Sequence, residues 1–180
     1  MSISRRFRDK IKSIKESYTG KGGLYSHVPV DFSDMLKVQS KLQQYLPDVK
    51  MDSIQEGHIT IIYSKTDHIP FTTAIQLAQP EESDYPYECI LSELIFFDNK
   101  EDGTRTLVIK VDEPCIVNEL HDKWIQAGYE ITHPSYIPHL TVEYDSKYTD
   151  QDLIGINSYL AQKPILISVG SEVIEDLRED

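Results

Sequence analysis

One hexapeptide occurs twice in this chain. His58-Ile59-Thr60-Ile61-Ile62-Tyr63 and His139-Leu140-Thr141-Val142-Glu143-Tyr144 both read His, aliphatic, Thr, aliphatic, any residue, Tyr, at a spacing of 81 residues. A fold that holds both must build the same local geometry twice. Their β-branched and aliphatic content predicts a strand at each. Side chains alternate along a strand. His58, Thr60 and Ile62 are therefore expected on one face, with Ile59, Ile61 and Tyr63 turned to an apolar layer. The second copy repeats this with His139, Thr141 and Glu143 against Leu140, Val142 and Tyr144. If the two strands lie close in one sheet, two imidazoles and two hydroxyls line one cleft.

That set of groups suits phosphodiester cleavage without a metal. One neutral imidazole takes a proton from the attacking hydroxyl, and a protonated one gives a proton to the leaving oxygen. The imidazole reference pKa of ~6.5 lets two histidines share those roles near neutrality. The threonine hydroxyls can hold the non-bridging oxygens and keep the phosphorus in line. His27, His68, His121 and His133 show no metal-type spacing, and no cysteine pair supports zinc, so neither a metal nor a cofactor is expected. Those four histidines read as ordinary core or surface residues.

The remaining chain interleaves strands and helices. Leu24 to Val30 reads as a strand. Asp31 to Asp34 supplies cap-type residues for a helix from Met35 to Leu46, stopped by Pro47. Residues 71–79 are ambiguous. Tyr87 to Phe97 and Thr104 to Val111 flank a Gly-containing turn and read as a hairpin. Pro114 opens a helix that runs to Ala127 and ends at Gly128. Thr149 to Gln162 is a helix with Asp150 and Asp152 in its first turn. Ile165 to Val169 is a late strand, and the acidic tail after Glu175 is expected to fray. The order lacks the regular beat of a parallel doubly wound sheet. The expected class is α+β: a pseudo-symmetric, two-lobed fold with the paired HxT strands lining a central cleft.

Composition narrows the partners. The 180 residues are 39% hydrophobic, enough for one core. The formal charge is −12, which disfavours a general nucleic-acid coat. The charge is uneven: residues 1–21 carry a net +5 and the rest −17. Ile3, Phe7, Ile11 and Ile14 recur at helical spacing there, so residues 1–21 are expected to form a basic amphipathic helix and a Gly-rich joint, ahead of a single domain over 22–180. Gly20-Lys21 lacks the spacing of a phosphate loop. No apolar run approaches a membrane span, and no apolar segment follows the basic N-terminus as in a secretory signal. Cys89 and Cys115 fit small core residues in a reducing cytoplasm. Lys65 and Arg105 are candidates for a local positive focus that a polyanion would need. Tyr136, in a loop before Pro138, could position the second motif or touch a base.

At these motifs the chain resembles the two-histidine phosphoesterase superfamily, defined by paired H-x-[ST] strands. It is most similar to a branch of anti-CBASS cyclic-oligonucleotide phosphodiesterases of tailed bacteriophages. His58 to Lys65, Pro134-Ser135-Tyr136-Ile137-Pro138-His139-Leu140-Thr141 and Gly23-Leu24-Tyr25 carry the likeness, which spans about residues 22–175. The resemblance implies that His58 and His139 are the acid–base pair and that Thr60 and Thr141 bind phosphate. It implies that Tyr25 meets the nucleotide by stacking or hydrogen bonding. It places an aromatic before the hairpin turn, here Phe96 or Phe97, where the branch favours Trp. It also places a carboxylate on the last strand, taken here as Glu172. The implied activity is hydrolysis of 3′–5′ bonds in cyclic di- and trinucleotide messengers, such as 3′,3′-cyclic GMP-AMP, in the cytoplasm of an infected bacterium. The alternatives are an RNA 2′,3′-cyclic or 2′–5′ phosphodiesterase, and a module that sequesters the nucleotide uncut. Neither long nucleic acid nor membrane is an expected partner.

Overall fold

The computed structural model describes residues 23–52, 54–65, 86–98, 103–130 and 135–177. The expected helix over 1–21, the ambiguous stretch 71–79, the tip of the hairpin turn, His68 and His133 lie outside the described residues.

Among the described residues, seven strands form one antiparallel sheet with three helices on one side: β1 (Leu24–Pro29), α1 (Phe32–Leu42), β2 (His58–Ser64), β3 (Tyr87–Asp98), β4 (Arg105–Val111), α2 (Ile116–Ala127), β5 (His139–Glu143), α3 (Asp150–Leu160), β6 (Ile165–Val169) and β7 (Val173–Asp176). The order across the sheet is β6-β3-β4-β5-β2-β1-β7. The two motif strands are therefore neighbours at its centre, meeting with Ile59 opposite Leu140. The sheet curls into a half-barrel, and a bridge between Val30 and Val169 ties the end of β1 to edge strand β6. This is the α+β class that the element order predicts.

The helices cover the convex face. Leu24, Val28, Ile59, Ile61, Leu140 and Val142 join Met35, Val38 and Leu42 of α1, Val117 and Trp124 of α2, and Leu153 and Ile156 of α3 in one apolar cluster. Burial of such side chains is the main stabilising term, about 1.5–3 kcal/mol for each large aliphatic or aromatic group. Asp31 caps α1, its carboxylate accepting from Ser33 N at 2.8 Å. That helix starts one turn before the expected Met35 and ends at Leu42 rather than Leu46. Leu46 remains buried in the following turns; the apolar periodicity outlasts the helix. Gly128 ends α2 at φ 92°, a left-handed position that suits glycine. Asp152 accepts from both the backbone N and the hydroxyl of Thr149, each at 2.7 Å, and closes the first turn of α3.

The internal symmetry is close. Strands β1 and β2 pair Ser26 with Ile62, His27 with Thr60, Val28 with Ile59 and Pro29 with His58. Strands β4 and β5 pair Leu107 with Glu143, Val108 with Thr141, Ile109 with Leu140 and Lys110 with His139. Each residue of the second set lies 81 positions after its counterpart. Both ladders skip one residue, Ile61 in β2 and Val142 in β5. Each motif strand thus carries a β-bulge at the fourth position of its hexapeptide, which shifts the alternation by one from that point. The strict period-two expectation fails here: Ile61 and Ile62 are both buried, and Tyr63 is 42% exposed.

Residues Val173–Asp176 form a further strand, β7, antiparallel to β1, with Glu175 opposite Tyr25. Of the tail after Glu175 that is expected to fray, Asp176 belongs to this strand and residues 178–180 lie outside the described residues.

Candidate active site

The concave face of the sheet carries the motif side chains. In an antiparallel pair centred on Ile59 and Leu140, His58 falls across from Thr141 and Thr60 across from His139. Directly opposed residues have Cα atoms about 4.5–5.5 Å apart. Each histidine thus lies beside the other motif's threonine.

Both imidazoles are oriented alike by backbone. His58 Nδ1 lies 2.9 Å from Glu56 O, and His139 Nδ1 lies 2.7 Å from Ile137 O. A carbonyl only accepts, so Nδ1 carries the hydrogen in each ring. Nε2 is left as the nitrogen that can take up or release a proton. The residues before the two histidines are held equivalently: Val30 N donates to Gly57 O at 2.8 Å and Val111 N donates to Pro138 O at 2.9 Å. Gly57 lies against the Met35 side chain: a Cβ there would stand 2.2 Å from Met35 Sδ, so a larger residue would require Met35 to move.

Carbonyls at the bulges are held by donors from outside the paired strands. Tyr136 OH donates to Thr60 O at 2.8 Å, and His121 Nδ1 donates to Ile61 O at 2.7 Å. In the other half Asp52 N donates to Val142 O at 3.1 Å. Tyr136 is packed against the core, and burial pushes its phenol well above the ordinary range. Its hydroxyl is thus engaged with the backbone of the first motif.

The remaining expected residues are placed as follows. Tyr25 is on the cleft face; its hydroxyl lies 3.4 Å from Thr60 Oγ1 and its ring meets His58 edge-on at 6.2 Å. Burial, the largest cause, raises its pKa, and the nearby Glu175 and Tyr144 act in the same direction. Phe97 meets His139 edge-on at 4.7 Å, whereas Phe96 packs against the core. Lys65 is exposed just beyond β2. The Arg105 guanidinium lies 3.8 Å from the Phe96 ring centre and is paired with Asp98 and Asp150, so it is committed to structure.

Glu172 requires a correction. Its side chain has no exposed surface; it is paired with Lys123 at 2.6 Å, accepts from Trp124 Nε1 at 2.6 Å, and accepts from the Ser26 hydroxyl. Ser26 belongs to the convex face and Trp124 to the core, so this carboxylate braces α2 against β1. The last-strand carboxylate on the cleft side is Glu175, three residues on, opposite Tyr25.

Several cleft residues escaped the sequence reading. His27 follows Tyr25 by two positions and so shares its face. It stacks on Tyr25 at 5.1 Å and lies 5.0 Å from the His58 ring centre. Strand alternation alone would have placed it there. Lys110 sits directly opposite His139 and pairs with Glu93 at 3.0 Å. The bulges bring up the sixth residue of each motif: Tyr63 meets Tyr25 at 6.3 Å, and Tyr144, 57% exposed, lies close enough to bear on the Tyr25 phenol. The two halves of the cleft are chemically unequal. Tyr25, His27 and Glu175 form a polar side, while Phe97 and the buried Val108 form an apolar side. Among the described residues no group of three or more His, Cys, Asp or Glu is gathered as metal ligands, and no helix is long and apolar enough to cross a membrane.

Comparison with known proteins adds three findings. No curated protein matches the sequence. The structure of Usb1 from Kluyveromyces marxianus aligns with a TM-score of 0.48 and 9% identity, over 89% of this chain and 99% of that one. The model of a family described as anti-CBASS protein Acb1 matches residues 22–180. That match takes in both hexapeptides and every cleft residue described above, and the chain belongs to the anti-CBASS protein Acb1 family.

Proposed function

We propose that the protein is a metal-independent phosphodiesterase that opens cyclic oligonucleotides with 3′–5′ linkages and so silences the host signal that its family opposes. The observation that carries this reading is the matched orientation of His58 and His139. Both offer Nε2, on adjacent strands, each beside the other motif's threonine.

In the first step one Nε2 takes the proton of a ribose 2′-hydroxyl as its oxygen attacks phosphorus. The P–O5′ bond breaks, and the other imidazolium gives its Nε2 proton to the departing O5′. The product carries a 2′,3′-cyclic phosphate. In the second step the roles reverse: the imidazole left neutral takes a proton from water, the water oxygen attacks phosphorus, and the ring opens to a terminal phosphate. Thr60 and Thr141 hydroxyls hold the non-bridging oxygens. Tyr63 and Tyr144, one beyond each end of the central quartet, are platforms on which the two flanking bases stack.

The test is incubation with 3′,3′-cyclic GMP-AMP in excess EDTA, followed by chromatography and mass spectrometry, beside a His58→Ala, His139→Ala double variant. Conversion of the ring to a linear product by the wild type alone is expected. Retention of the intact ring would identify a sequestering protein instead. A 2′-deoxyribose analogue is expected to survive; its cleavage at the normal rate would make water the first nucleophile.

A further inference from the structure

Among the described residues three imidazoles stand in this cleft, and the third is built differently from the other two. His27 lies opposite Thr60 in the β1–β2 ladder and 5.0 Å from His58, with its ring fixed by stacking on Tyr25. No carbonyl takes its Nδ1. That atom is buried with no hydrogen-bond partner, although the residue as a whole is only half-buried. In the second half the equivalent position is Val108, so symmetry does not demand a polar residue there.

The orphan nitrogen decides the tautomer. A hydrogen on Nδ1 would be a buried N–H with no acceptor, a rare and costly arrangement. A bare Nδ1 leaves only a lone pair unsatisfied. The neutral ring therefore carries its hydrogen on Nε2, on the open side of the cleft. A charged ring would bury a cationic N–H, which costs more still. The groups facing His27 are Tyr25 on its own strand, His58 and Thr60 on β2, and Glu175 on β7. Burial is the largest influence and lowers its pKa; His58 adds to this and Glu175 opposes it. His58 and His139 have the reverse arrangement, with the hydrogen on Nδ1 anchored by a carbonyl.

We infer that His27 is a fixed hydrogen-bond donor rather than a third acid or base, and that its Nε2–H binds a non-bridging oxygen of the phosphoryl group held over His58 and Thr60. The inference rests on the phosphodiesterase reading and deepens it. Negative charge grows on those oxygens as the nucleophile adds, so a neutral, preoriented N–H bonds the transition state more strongly than the ground state. No bond to His27 is made or broken, and it keeps its proton throughout.

The test has two arms on the intact protein. Nitrogen-15 correlation spectra of the histidine-labelled chain, with His27 assigned by its loss in His27→Gln, read the tautomer directly. Near pH 7 a bare Nδ1 and a protonated Nε2 are expected; the opposite tautomer, or an imidazolium, overturns the inference. In the kinetic arm His27→Ala is expected to lower kcat about a hundredfold, the scale of one lost oxyanion donor. KM should change little and both limbs of the pH–rate profile should stay in place. His27→Gln, which keeps a donor but cannot titrate, should recover most of the rate. Full activity in His27→Ala, or loss of a limb in His27→Gln, overturns the inference even if the wild type is a phosphodiesterase. If the wild type cleaves nothing, the functional reading fails separately. Added 3′,3′-cyclic GMP-AMP then decides for His27: a moved Nε2–H resonance keeps the donor on a binding protein, and an unmoved one removes it.

Discussion

His121 and Tyr136 stack face to face, with ring centroids 3.7 Å apart and planes 5° from parallel. Each donates one hydrogen bond to a carbonyl at the β2 bulge. One side chain comes from α2 and the other from the loop before β5, so the first motif is braced by the half that carries the second. Replacing Tyr136 with Phe removes the bond to Thr60 O and keeps the stack. The expected loss is about 1–3 kcal/mol in urea denaturation, with a fall in kcat because the Thr60 hydroxyl is no longer held in place. Unchanged stability would show that water replaces the phenol.

Glu172→Ala should act on the fold rather than on substrate. Lys123 is only 14% exposed and would lose its counter-ion, while Trp124 and Ser26 would lose an acceptor. Breaking a buried pair costs about 3–5 kcal/mol. The measurement is chemical denaturation beside steady-state kinetics. A variant of wild-type stability with a raised KM would return this carboxylate to the substrate site.

Tyr63→Ala and Tyr144→Ala should each raise KM for a cyclic dinucleotide by an amount equivalent to about 1–3 kcal/mol, the usual worth of one base stacked on an aromatic ring. Phenylalanine at either position should restore affinity. If Phe fails where Tyr succeeds, the hydroxyl and not the ring carries the contact.

Acid should weaken the fold partly through His27. Burial, followed by His58, holds its pKa below the ordinary imidazole range. The unfolded chain therefore binds this proton more readily than the folded one. The associated stability is fully present above the unfolded value of ~6.5 and is lost as pH falls toward the folded value. Thermal melts of wild type and His27→Gln between about pH 7.5 and about pH 5 should converge as the pH falls. Parallel curves would mean that the ring titrates normally.

The repeated hexapeptide makes the centre of the candidate site legible in the sequence. Its two copies required two equivalent strands, and these lie side by side. What the sequence hid has physical causes. A period-two rule cannot foresee a bulge, because the extra residue is stabilised by acceptor–donor pairs from Tyr136, His121 and Asp52, all remote in the chain. Strict alternation therefore puts Tyr63 and Tyr144 on the apolar layer, and the bulges turn them away from it. Burial of an acid such as Glu172 depends on partners from β1 and α2, and no local pattern announces them. The terminal strand β7 has little intrinsic strand signal and forms because β1 presents an open edge. His27 was legible in principle, two positions from Tyr25, but a solitary histidine carries no chemistry until its neighbours are known.

The meeting of β2 and β5 at Ile59 and Leu140 has a mechanical consequence. His58 and His139 belong to different halves, and the distance between their rings is set at the seam where those halves join. A small splaying of that seam would part the two imidazoles while each half kept its own ladder and its own share of the core. The proposed chemistry would then be less robust than the fold that supports it, and any phosphodiesterase activity should give way to mild denaturant or pressure before the sheet does.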